Sequence, residues 1–247
     1  MSSIPEFANY LISFIFYPSP QNPDYHHFAD TRSYLGVPNF CDVASSVGFV
    51  LVGFWGLYGL LQHEQGMRWP ERTPWLVFAV GVLLTGMGSS YYHWHPDNDT
   101  LVWDRLPMTM AFMGLFSAVL CECGQARLLW SLPGLVLCGL TSVWYWYYTE
   151  QHHAGDLRPY LLVQFLPMVV IPVMVLFRSS CWSHQHELWW VWCAYGLAKI
   201  AEAGDAVVYH ATSELVSGHT LKHVLATVAV VIVLRMLRRR VRRLPLE

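Results

Sequence analysis

Residues 75–120 read WLVFAVGVLLTGMGSSYYHWHPDNDTLVWDRLPMTMAFMGLFSAVL. Two apolar runs flank one short polar turn, Trp94 to Asp99. Each run approaches the roughly 20 residues that an α-helix needs to cross the hydrocarbon of a bilayer. Working outward, five more stretches of the same kind follow. The expected spans are roughly 39–62, 74–94, 100–121, 127–148, 158–178, 187–209 and 216–237. The connections are short, and no internal repeat or low-complexity tract interrupts them. The chain therefore predicts an all-α fold, an integral membrane bundle of seven transmembrane helices. Residues 1–35 read as a polar or interfacial lead-in, 36–237 as the seven-helix domain and 238–247 as a basic tail.

Composition agrees. Hydrophobic residues make up 54% of the 247 and charged ones only 13%, against about 25% charged in soluble domains. The chain carries 12 Trp and 13 Tyr, residues that gather at bilayer interfaces; Trp144 to Tyr148 read as such a belt. A net charge of −2 gives no basic face for nucleic acid. Six cysteines lack the spacing of a disulfide framework or zinc knuckle and read as small hydrophobes. The apolar patch Leu11 to Tyr17 is too short to span and reads as interfacial. Pro167 and Pro172 predict kinks in the fifth helix, which membrane helices tolerate.

Basic residues orient the bundle, since Lys and Arg are retained on the cytoplasmic side. Arg68, Arg72, Arg127 and Arg178 fall on the same side as the arginines of the tail. The C-terminus is then cytoplasmic and the N-terminus outside or lumenal.

Ionisable groups inside membrane spans are costly and mark cavities or partners. At the end of the second span, Ser89 and His93 lie four apart on one helix face. Asp104 lies about a turn inside the third span. His219 and His223 project from consecutive turns at the start of the seventh. This topology puts His93, Asp104, His219 and His223 at similar depth on one side of the bilayer. Three neutral imidazoles plus a water make a common catalytic zinc site, which lowers the pKa of water and polarises a carbonyl. Asp104 suits a general base, and Ser89 a donor to a developing oxyanion. Lys199, Glu202 and Asp205 recur every three residues on the sixth helix and read as a polar network, with Lys222 facing away from the histidines toward one of these acids. Asp99, before Thr100, reads as the N-cap of the third helix. His26 and His27 read as exposed.

The segments GSSYYHWHPDNDTLVWDRLPM and SGHTLKH, with PNFCDVASSVGF opening the first span, resemble the alkaline ceramidase family over about residues 28–235. That family belongs to a seven-helix hydrolase superfamily that includes the adiponectin and progestin receptors. The resemblance implies zinc on His93, His219 and His223, with Ser89 and Asp104 catalytic. It implies hydrolysis of the amide of a ceramide-like membrane lipid, giving a fatty acid and a sphingoid base. It also implies calcium near the N-terminus. Here that stretch offers only Asp24, Asp30, Asn39 and Asp42 beside an added Arg32, so calcium, which prefers 6–8 oxygen ligands, is the weaker expectation. Three alternatives stay open: a hydrolase of another acyl amide or ester, a lipid receptor with a non-catalytic zinc, and a haem protein with His93 and His219 as axial ligands.

Overall fold

The computed structural model describes residues 17–62, 66–124 and 126–243. Apart from Tyr17, the patch expected to lie at the interface falls outside them. Among the described residues there are eight α-helices: α1 Phe40–Gln62, α2 Trp69–Trp94, α3 Asn98–Cys123, α4 Leu132–Gln151, α5 Arg158–Phe177, α6 Glu187–Ala203, α7 Asp205–Ala211 and α8 Gly218–Arg239. Six of them, α1 to α5 and α8, are long and apolar enough to cross a membrane, the mark of a multi-pass membrane protein. Their outward faces are strongly apolar: Leu51, Tyr58, Leu162, Val169, Leu176 and Phe177 are all exposed.

The sixth expected span, 187–209, is not one helix. It breaks at Gly204 into α6 and the two-turn α7. At about 1.5 Å per residue, α6 alone reaches roughly 25 Å, short of a bilayer core. The cause is local. Gly218, which opens α8, presses into the break, where a Cβ would come within 2.1 Å of the Ala201 carbonyl and 2.7 Å of Asp205 Cα. Asp205 is turned by the break, and its carboxylate accepts from the His219 amide (2.7 Å) and the Ala29 amide (2.8 Å).

Helix ends follow side-chain chemistry, with one reassignment. Asp97, not Asp99, caps α3, accepting from Thr100 N at 2.7 Å. Asp99 instead accepts from the Tyr147 hydroxyl and Gln151 Nε2 of α4. Ser217 caps α8 through Thr220 N. Pro107 lacks the N–H that the Trp103 carbonyl would otherwise accept. Gly88 of α2 closes on that carbonyl so tightly that a Cβ there would stand 2.0 Å from it. Without a hydrophobic drive between helices in lipid, such close backbone packing holds them together.

All six cysteines are free, and only Cys123 is buried. Trp144, Tyr145 and Tyr148 are exposed as an interfacial belt requires, but Trp146 is fully buried. It stacks beneath the Arg105 guanidinium, 4.2 Å from ring centroid to Cζ, with Tyr160 at 4.7 Å and Tyr25 at 5.4 Å. Arg105 also donates to Gln21 at 2.6 Å, which ties the lead-in to the bundle.

At the opposite end of the bundle, the residues after α8 fold back. Arg240 is buried, donates to Glu122 at 2.6 Å, and lies over the rings of Trp182 and Trp75. Arg242 pairs with Glu71. Arg240 is thus packed structure, while residues 241–243 stay exposed.

Candidate metal and hydrolytic site

His93 comes from the last turn of α2, and His219 and His223 from the first two turns of α8. All three are buried, and their ring nitrogens lie within 4.8 Å of one another. His93 Nε2 and His219 Nε2 face each other at 3.3 Å. A tetrahedral zinc ion with bonds of about 2.0–2.1 Å holds its ligands about 3.4 Å apart. The spacing and the all-imidazole donor set therefore fit such an ion.

The rings are oriented from behind. His223 Nδ1 meets Ser45 Oγ at 2.8 Å, which fixes the tautomer and leaves Nε2 for the cluster, as at many metal sites. The Asn39 amide donates to the His93 backbone carbonyl at 2.9 Å. Asp205 fixes the backbone of His219 through its amide. Asp42, fully buried on α1, accepts from Thr220 Oγ1 at 2.6 Å. Its second oxygen, like His93 Nδ1, has no hydrogen-bond partner.

Ser89 of α2 and Asp104 of α3 are both buried, and the Ser89 hydroxyl hydrogen-bonds the Asp104 carboxyl. Ser89 Oγ also lies 3.1 Å from Ser46 Oγ. Gly88, one residue before Ser89, and Trp103, one before Asp104, form the close contact described above. That contact brings together the backbones that carry the acid and the hydroxyl.

Several participants carry no motif of their own. Phe28 packs edge-on against the rings of His93 (4.7 Å) and His219 (4.8 Å), so the lead-in lies over the cluster. Lys222 pairs with Glu202 at 3.0 Å, as its position suggested. However, it does not face away from the cluster: its Nζ lies 2.8 Å from His219 Nε2. Lys199 completes the group by pairing with Glu202. His26 is not exposed but half-buried, between the Tyr92 hydroxyl and Asn98 Oδ1 at 3.0 Å each. Burial lowers its pKa.

The carboxylates expected near a calcium are dispersed. Asp30 is held by Arg32 through paired contacts at 2.7 and 2.8 Å, and this hydrogen bonding depresses its pKa. Asp24 meets His27 at the surface, and Asp42 serves Thr220. The axial-haem alternative fails on geometry. Haem would need His93 and His219 on opposite faces of a flat macrocycle, but their nitrogens are 3.3 Å apart and Phe28 lies across both rings.

An apolar cavity of about 150 Å³ lies inward of the cluster. Its wall includes Thr85, Met108 and Ala226, each about one helical turn from Ser89, Asp104 and His223. Phe49 lines it too and touches the His223 ring, with centroids 5.8 Å apart. Part of the wall is the seam between α5 and α6, which pack only lightly. Two hydrogen bonds cross the seam. Gln164 donates to the Tyr195 hydroxyl, and Trp192 Nε1 donates to the Met168 carbonyl, each at 2.9 Å. Pro172, four residues on, leaves that carbonyl without its helical donor. No protein-family model matches the chain, and no characterised protein matches it in sequence.

Proposed function

We propose that this chain is a zinc-dependent hydrolase of seven membrane-crossing segments, cleaving the amide of a ceramide-like lipid. The observation that carries the reading is the buried three-imidazole set, with one nitrogen pair at 3.3 Å, beside a paired carboxyl and hydroxyl. His93, His219 and His223 would hold the ion. When bound, zinc would polarise the carbonyl and acidify water. Asp104 would accept the proton of the attacking water and later return it to the leaving nitrogen. Ser89 would donate to the oxygen that gains charge. The cavity would take a short stretch of the acyl chain, since dry apolar cavities of about this size hold small hydrocarbon guests. The light α5–α6 seam would give access from the side. Phe28 and the rest of the lead-in would exclude water from above.

In this reading α6 and α7 together make the remaining crossing, and the site faces the outside or lumen with the arginine-rich end in the cytoplasm. A related acyl amide or ester would use the same groups. A receptor with a non-catalytic zinc would bind lipid without consuming it.

The test is metal analysis of detergent-purified protein together with product assay on short-chain ceramides. Wild type should hold zinc at the cluster and release fatty acid. His219→Ala/His223→Ala should lose both. Asp104→Asn should keep that zinc and lose about 10²-fold or more in turnover, the usual size of a general-base contribution. Full turnover in Asp104→Asn would refute the mechanism, and absence of zinc from the cluster in folded wild type would refute the function.

A further inference from the structure

We propose that His184, His186 and Glu187 form a second metal site, for a divalent transition ion such as zinc, in the loop between α5 and α6. His184 Nδ1 and Glu187 Oε1 are 3.3 Å apart, the two imidazole centroids 5.9 Å, and one donor atom from each residue lies within 4.8 Å of the others. The loop lies at the opposite end of α6 from the break that adjoins His219, so this set shares no residue with the buried histidine cluster.

The donors are held by the surrounding backbone. His184 has φ +62°, a left-handed conformation that costs a residue with a Cβ on the order of 1 kcal/mol or more. The loop sustains it through a clamp on both sides. Gln185 turns inward, accepting from Ser180 N at 2.8 Å and donating to the Arg178 carbonyl at 2.9 Å. Ser183 exchanges two bonds with Val241: its N–H donates to the Val241 carbonyl at 3.0 Å, and its Oγ accepts from the Val241 N–H at 2.9 Å. With Gln185 committed inward, the histidines on either side stay partly open to water. Glu187, the first residue of α6, is mostly covered, with 16% of its side chain exposed, and its ion-pair partner is His184 itself.

Two imidazoles and one carboxylate suit zinc, cobalt, nickel or copper rather than magnesium or calcium, which favour oxygen donors. Small rotations of the two half-open rings bring the three atoms to tetrahedral spacing, and water completes the shell. The ion would replace a side-chain contact that joins only two of the three groups, and so tie the start of α6 to the loop.

Zinc and cobalt titrations of the full, untagged chain in detergent test this, read by metal stoichiometry and by the visible absorption of bound cobalt. Wild type should take up two equivalents. His219→Ala/His223→Ala should still bind one, with micromolar affinity, and His184→Ala/His186→Ala should also keep one. Glu187→Gln should weaken the loop site about tenfold and leave the buried one unchanged, a readout that does not depend on the double variant folding. The proposal is overturned if His184→Ala/His186→Ala leaves stoichiometry and affinity as in wild type. It is equally overturned if His219→Ala/His223→Ala binds metal only at millimolar concentrations, as scattered surface histidines do. Failure of the buried site alone would remove the proposed hydrolase and leave this site standing.

Discussion

Lys222 shows what single residues contribute beyond the motif that contains them. The sequence reading placed it off the face shared by His219 and His223, but residues three apart on a helix are neighbours. A lysine stem spans several ångströms, and Glu202 draws the ammonium back across the layer to within 2.8 Å of His219 Nε2. A cation so close to a dication site opposes the ion, since unit charges a few ångströms apart interact by several kcal/mol at an effective dielectric near 20. Lys222→Met should therefore bind zinc at least about tenfold more tightly, measured by chelator competition. Unchanged or weaker binding would show that Glu202 already cancels the charge. His93, His219, His223, Ser89 and Asp104 were legible because each is an ionisable or hydroxyl group where apolar residues belong. Phe28 and Ser45 were not, because a phenylalanine or serine in this chain is unremarkable until the fold supplies its neighbour.

Elements were legible to the extent that their boundaries are local. The expected span 39–62 is α1 nearly to the residue, and 158–178 is α5. The second helix begins five residues before its apolar run, because Pro70 and Pro74 fit within its first turns and Glu71 bonds back to the Arg68 amide. The break at Gly204 was not legible, since it depends on α8 pressing Gly218 into α6 from a distant part of the chain. Capping gives a direct test of a local assignment. Asp97→Ala should destabilise α3 by about 1 kcal/mol, read from thermal unfolding in detergent. Asp99→Ala, which loses only exposed contacts to Tyr147 and Gln151, should cost less. The reverse order would return the cap to Asp99.

At the scale of the whole molecule, the two ends of the bundle are closed by chain segments that lie outside the six long helices. At the histidine end the lead-in is fastened by Arg105 to Gln21, by Asp205 to Ala29 and by the Asp30–Arg32 pair, whose arginine also reaches the Leu215 carbonyl at 3.1 Å. The Asp30 pKa is depressed by Arg32, so its contribution is present above the unfolded carboxylate value of about 3.9. It is lost as pH falls below that, through the folded value. Amide protection at Ala29 to Arg32, corrected for intrinsic exchange, should fall below about pH 4 while that of α2 and α3 persists; protection unchanged to pH 2 would show the pair is not a fastening. At the other end, Glu122→Leu leaves Arg240 buried without its carboxylate, and removing one partner of a buried pair costs about 3–5 kcal/mol. The variant should unfold at markedly lower temperature, whereas Glu122→Leu/Arg240→Met should recover much of the loss; no recovery would show that the two do not act as a pair. That pairing also sets an order of events in biosynthesis. Glu122 sits near the end of α3 and leaves the ribosome well before Arg240 is made, more than a hundred residues later. Until then α3 carries a carboxylate without that counterion, so a chain stopped just short of Arg240 would hold every long helix and still leave the Glu122 end of α3 unfastened.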